Sequence, residues 1–138
     1  MPIIHPDDPV RLVASEPVVT VEPTVTLSDL ATKLELARVG AVAVTSDGRL
    51  DGVISERDLV RAVAARADPD DVWAADAMSD TPVRVDADEP IIVAAERMLD
   101  EGVRHLPVMA DGEVVGIVSI RDVLEVLVSD WKRTHHPA

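Results

Sequence analysis

Cysteine, phenylalanine and tyrosine are all absent from this 138-residue chain. Without cysteine there is no disulfide, no thiolate metal site and no cysteine nucleophile. Two tryptophans, Trp73 and Trp131, are the only aromatics. The core must therefore be built from Val, Leu, Ile, Ala and Met. A nucleobase bound here would lie against aliphatic side chains, with its edge on backbone groups. No apolar run has the length of a membrane span, and the first residues, MPIIHPDDP, are acidic and Pro-rich rather than signal-like. A soluble cytoplasmic protein is expected. Basic residues are scarce too: 13 Lys and Arg face 26 Asp and Glu, a net charge of −13. Such a field repels nucleic acid and anionic membranes, so neither is expected as a partner. An anionic ligand would need a few locally placed Arg or His residues. No Ser/His/Asp arrangement or metal-ligand spacing is present. The adjacent His135 and His136 read as a solvated tail. Catalysis is not expected, and no metal or required cofactor.

What the chain does contain is a repeat. Residues 44 to 58, VTSDGRLDGVISERD, and residues 108 to 122, VMADGEVVGIVSIRD, align without a gap at an offset of 64. Seven of fifteen positions are identical: Val44/Val108, Asp47/Asp111, Gly48/Gly112, Gly52/Gly116, Ser55/Ser119, Arg57/Arg121 and Asp58/Asp122. Outward, Val19 and Val21 fall on Val83 and Val85, Leu27 on Ile91, Leu34 on Met98, and Ala14-Ser15 on Met78-Ser79. A period of this size is one supersecondary unit. Two copies are read, residues 10–66 and 74–130, with loose termini at 1–9 and 132–138. Neither copy has enough apolar residues to close a core alone, so together they make one domain.

Each copy reads as strand, helix, strand, strand, helix, an α+β unit. Val18–Val21 and Val83–Val85 are β-branched first strands. Thr26 caps the first helix, with Leu27, Leu30, Ala31 and Leu34 on its inner face. Pro90 opens the corresponding helix, with Ile91, Ala94, Ala95 and Met98 as its stripe. Asp47-Gly48 and Asp111-Gly112 are hairpin turns, joining strand 41–45 to 50–55 and strand 106–109 to 113–119. Helix 56–65 should turn Leu59, Val60 and Val63 inward, and Val123–Val128 lies on the last helix. Residues 66–72, RADPDDV, form a polar linker.

In both copies a strand ends in Gly-x-x-Ser and a helix begins with x-Arg-Asp. Ser55 and Ser119 suit helix N-caps, and Asp58 and Asp122 suit the first turn of a helix dipole. The same groups also suit a ligand. A carboxylate accepts two hydrogen bonds from vicinal ribose hydroxyls. Ser hydroxyls and first-turn N–H groups suit a phosphate, and Arg57 or Arg121 can grip its oxygens. Gly52 and Gly116 would let backbone approach a ligand closely.

The stretches VRHLPVMADGEVVGIVSIRDVL (103–124) and, more loosely, ARVGAVAVTSDGRLDGVISERDLV (37–60) resemble a pair of CBS motifs, the Bateman module, over residues 10–130. The resemblance implies two tandem β-α-β-β-α motifs packed sheet to sheet with pseudo-twofold symmetry, leaving two related clefts. It implies a regulatory module binding an adenosine-containing ligand: AMP, ADP or ATP first, S-adenosylmethionine or NAD second. It implies a disc-like homodimer, and a regulated partner that the chain leaves room for only as a separate protein. The alternative is a ligand-free dimerisation or docking scaffold. By this resemblance Asp58 and Asp122 hold ribose, Ser55 and Ser119 ribose or phosphate, and Arg57, Arg104, His105 and Arg121 phosphate. The adenine would lie on Val21, Val42 and Val53 in one cleft, and on Val85, Leu106, Pro107 and Ile117 in the other.

The copies disagree at one place. Gly40-Ala41-Val42-Ala43 stands where the second copy has Arg104-His105-Leu106-Pro107. Since copies in this family exchange phosphate-contacting side chains, the Asp58 cleft is expected to receive Arg104, His105 and Arg121. The Asp122 cleft is expected to receive mainly Arg57. The clefts should be unequal, with a polyphosphate favouring the Asp58 cleft.

Overall fold

The structure, a computed structural model, describes residues 2–15, 17–80 and 82–135. Two three-stranded sheets are present, ordered β1-β2-β3 and β4-β5-β6. The first comprises β1 (Thr20–Val21), β2 (Ala41–Ser46) and β3 (Arg49–Ser55), and the second β4 (Val85–Asp86), β5 (His105–Ala110) and β6 (Glu113–Ser119). In each, the first strand runs parallel to the second, which pairs with the third as an antiparallel hairpin. The registers repeat at the sequence offset: Val21 pairs Val44 as Val85 pairs Val108, and Ala41 pairs Ser55 as His105 pairs Ser119. Both hairpins turn at Asp-Gly with positive φ at both residues. That conformation matches the strand twist and favours this dipeptide.

Helices α1 (Leu27–Ala37) and α2 (Glu56–Ala64) cover one sheet; α4 (Ile91–Glu101) and α5 (Ile120–His135) cover the other. The Thr26 hydroxyl caps α1 by accepting from the Asp29 N–H at 3.2 Å. The buried stripe of α4 is Ile91, Ala94, Ala95 and Met98, as its periodicity predicts. On α1 the stripe is Leu27, Leu30 and Leu34; Ala31 is exposed. Helix α2 departs most from expectation. Leu59 is half-buried and Ala62 packs inward, but Val60 and Val63 are 67% and 63% exposed. The first strands are shorter than their β-branched runs, two residues each.

Two helical turns were not legible: a 3₁₀ turn at Val10–Leu12 and α3 (Ala74–Ala77). They are equivalent at the offset, and each docks on the other copy. Val10 lies fully buried in the core with Val85, Ile91 and Leu106, while Ala74 joins the core of Leu27, Leu30 and Ile54. The segments are fixed by backbone hydrogen bonds. The carbonyls of Asp8 and Pro6 accept from the Ile91 and Ile92 N–H groups at 2.9 Å, and those of Val72 and Pro69 accept from Leu27 and Ser28 at 3.0 Å. These bonds satisfy helix-start donors that otherwise lack partners. The described part of the N-terminus, residues 2–9, is therefore not a loose end. Nor are residues 132–135, which continue α5. There Arg133 donates to Asp130 at 2.9 Å, and Trp131 stacks on His135 with ring centroids 4.5 Å apart. His136 lies outside the described residues.

Past the helical turns, each segment pairs with the other copy's third strand. Ser79 and Val53 exchange backbone hydrogen bonds at 3.0 and 3.1 Å, and the Ser15 N–H donates to Ile117 at 2.9 Å. This covers strand edges that would otherwise be open. It also explains Gly52 and Gly116. A Cβ at Gly52 would collide with the Ser79 carbonyl oxygen and lie 2.7 Å from Met78 Sδ. At Gly116 it would lie 2.7 Å from the Ser15 carbonyl oxygen. These glycines admit the crossing backbone, not a ligand. The two sheets meet over Ala43, Met109, Val114 and Ile117, with Val18 and Leu50 packed against them.

Because the obstruction is backbone and cannot swing aside, Gly52→Ala and Gly116→Ala should each destabilise by about 1–3 kcal/mol. Urea unfolding measures this. Variants as stable as the native chain would disprove the crossing.

Candidate functional site

The two Ser/Asp pairs are held alike. The Ser55 N–H donates to Asp58 Oδ2 at 2.8 Å and its hydroxyl to the same oxygen at 3.2 Å. Ser119 donates to Asp122 Oδ2 from both groups at 2.8 Å. One carboxylate oxygen thus fixes the strand-to-helix corner. The other, Asp58 Oδ1, lies 3.6 Å from the Arg61 guanidinium. The N–H groups that open α2 and α5 are already engaged: Glu56 donates to the Gly40 carbonyl at 2.9 Å and Ile120 to that of Arg104 at 2.8 Å.

Around Asp58 the copies enclose a cavity of about 410 Å³. The first copy contributes Gly40, Val53, Ser55, Glu56, Arg57, Asp58 and Arg61. The second contributes Ser79, Pro82, Val83, Glu101, Gly102, Val103, Arg104 and His105. Arg57 and Arg104 have no ion-pair partner among the described residues. An adjoining hollow shares Asp58, Arg61 and Ser79 and extends over Ala62, Asp76 and Met78.

The sequence departure at Gly40 has a steric reason. A Cβ there would lie 2.7 Å from Glu56 Oε1 and 3.0 Å from His105 Nε2. Gly40 makes room for the imidazole of one copy beside the carboxylate of the other. Burial pushes His105 below its ordinary value of 6.5, against the opposing pull of Glu56 and Asp122, while Arg104 lowers it further. Burial thus favours the neutral ring.

Arg104 and His105 share the cavity with Asp58. Arg121 does not line it; its guanidinium is exposed and pairs with Glu125 at 3.5 Å. Arg57 lines the cavity of its own copy rather than the opposite cleft. Among the expected adenine contacts, only Val53 lines this cavity. Val21, Val42, Val85 and Leu106 are sealed in the cores beneath the helices. Alternation along a strand sends neighbours to opposite faces. Val42 and Leu106 fall on the helix side, while Ala43 and Ile117 fall on the seam between sheets. Pro107 is buried opposite Ile117 in the hairpin. Sequence reasoning missed Glu56, Arg61, Ser79, Pro82, Val83, Glu101, Gly102 and Val103. Arg61 carried a signal, being three residues beyond Asp58 and so on its face of α2. Ser79 carried another, as the equivalent of Ser15.

The CBS domain model matches this chain twice, over residues 10–65 and 74–129. The chain belongs to the CBS-domain family. The CBS pair is similar to an uncharacterised protein of Methanopyrus kandleri, 37% identical over 117 residues. The match takes in 83% of this chain and 60% of that protein, so the chain spans about three fifths of that relative. A CBS domain protein of Pyrobaculum aerophilum, solved in complex with AMP, is 35% identical, with a TM-score of 0.78 over 87% of this chain and 98% of that one. A CBS domain pair solved with 5′-methylthioadenosine and S-adenosyl-L-methionine shares the fold, with a TM-score of 0.82 at 23% identity over 94% of this chain and 99% of that one. No helix among the described residues is long and apolar enough to cross a membrane.

The His105 environment has a consequence for stability. The folded value lies below that of the unfolded chain, so the unfolded state binds more protons as pH falls through about 6.5. The stability His105 contributes is complete above that pH and is lost below it. Urea denaturation near pH 7.5 and pH 5.5 should show a smaller loss for His105→Gln than for the native chain. Equal losses would contradict this.

Proposed function

We propose that this CBS pair is a regulatory module that binds an adenosine-containing ligand, AMP, ADP or ATP, in the Asp58 cleft and signals to a partner protein. The carrying observation is the cavity itself. Arg57 and Arg104, neither with an ion-pair partner among the described residues, line it together with His105 and Asp58 in a protein whose net charge is −13. Unpaired cations gathered in one concavity suit an anionic group, and Asp58 Oδ1 suits ribose hydroxyls. The AMP complex of the Pyrobaculum aerophilum relative supports the same ligand class. The proposed role is binding rather than catalysis. Ser55, Arg57, Asp58, Arg104, His105 and Val53 form the principal site. Ser119, Arg121 and Asp122 are proposed to serve a weaker second cleft, because the first copy carries Gly40 and Ala41 where the second carries Arg104 and His105.

The module is proposed to act as a homodimer. Val60 and Val63 on α2, and Leu124, Val128 and Trp131 on α5, are all about half-exposed or more. Their spacing places each set along one helical face. Val60→Asp with Leu124→Asp should shift sedimentation from dimer to monomer. An unchanged coefficient would remove this element.

A ligand-free scaffold is the second reading, favoured by the capping bonds that already occupy Asp58 and Asp122. Thermal unfolding with AMP, ADP, ATP, S-adenosylmethionine and NAD separates the two. A ligand at one hundred times its Kd stabilises by about 2.7 kcal/mol. Asp58→Asn keeps a capping oxygen but loses the charge, and should weaken binding by about 1.5–3 kcal/mol. Asp122→Asn should change it little. No shift with any ligand selects the scaffold, and equal loss from both variants refutes the preference for the Asp58 cleft.

A further inference from the structure

We infer that a phosphorylated ligand enters the Asp58 cleft together with a proton, and that His105 carries it. The inference rests on the nucleotide-binding reading above and adds to it a dependence on pH and on ligand charge.

The cavity has too little positive charge of its own. Arg57, Arg61 and Arg104 line it, and so do Glu56, Asp58 and Glu101. Three fixed cations face three carboxylates, and Arg61 is already beside Asp58 at 3.6 Å. With His105 neutral the lining has no net charge. A phosphate monoester brings about −1.5 to −2 at neutral pH. It would do so inside a protein that is itself strongly anionic. One more cation is needed at the phosphate, and His105 is the only group in the lining that ordinarily titrates near neutrality.

The position of the ring fits this role. Gly40 lets Nε2 and Glu56 Oε1 crowd around the point where a Cβ would stand. The charged groups facing His105 are Glu56 from α2, Asp122 from α5 and Arg104 just before β5, with Arg57, Asp58, Arg61 and Glu101 around the same cavity. Burial outweighs the two carboxylates and holds the ring below its ordinary value. A phosphate beside it adds negative charge on another side. Protonated, the imidazole has N–H groups on both nitrogens and no acceptor, so it gains a donor for the ligand while the Glu56 charge nearby favours that form. The proton comes from solvent, and no bond other than N–H forms. Affinity should therefore fall as pH rises, by at most about tenfold per unit for one linked proton. A neutral adenosine has no reason to draw the proton in.

Isothermal titration of AMP and of adenosine near pH 7.5, in two buffers of different ionisation enthalpy, tests this. AMP binding should take up a substantial fraction of one proton from the buffer, and adenosine none. Uptake should disappear in His105→Gln and shrink in Glu56→Gln. If His105→Gln does not fold, the two-buffer comparison on the native protein and Glu56→Gln decide. AMP bound with no net uptake, or equal uptake with adenosine, overturns the inference and leaves the nucleotide reading standing. Failure of AMP, ADP and ATP alike to bind overturns both.

Discussion

The crossing of chain segments between the two copies is the constraint on which the rest depends. Ser15 runs against Ile117 and Ser79 against Val53, each beside a glycine whose missing Cβ leaves room for the backbone. The crossing seals the edges of β3 and β6, and its carbonyls accept from the first N–H groups of α1 and α4. It also puts Val10 and Ala74 into cores to which they do not belong by sequence. Each core is completed by a piece of the other copy, so the copies are not separable units. A cavity formed where they meet has walls fixed by both.

The same arrangement makes the cavity a place where the copies can differ to a purpose. Duplication alone would give two equal clefts. Instead the second copy places Arg104 and His105 at the start of β5, and the first copy answers with Gly40, which has no side chain to obstruct the ring. Small against large is complementary packing, and it sets charge as well as shape. Glu56, opposite the apolar Ile120 at the repeat offset, supplies a carboxylate beside the imidazole only in this cleft. Of the groups that line this cavity, His105 is the one whose charge ordinarily changes near neutral pH.

Much of this was legible in the residues. The repeat offset matches the sheet registers pair for pair, because hairpin turn and strand length are set locally by Asp-Gly and its flanking residues. The stripe of α4 and the corner bonds of Ser55-Asp58 and Ser119-Asp122 were legible for the same reason: each involves groups within four residues. Arg104 and His105 were noticed because they broke the repeat. Val42, Leu106, Val21 and Val85 were misplaced because an apolar run in a sheet covered on both faces has no alternation to show which face is which.

The sequence by itself determined the duplicated β-α-β-β-α unit, its turns, its caps and the inequality of its halves. These follow from local backbone preference and from short-range hydrogen bonds. Only the tertiary structure decided that Gly52 and Gly116 face a crossing backbone, that Arg57 turns to its own cleft while Arg121 pairs with Glu125, and that Val60 and Val63 stand outside. Each depends on which distant segment arrives at a surface. That is settled by burial and close packing summed over the whole domain, and no window of neighbouring residues contains it.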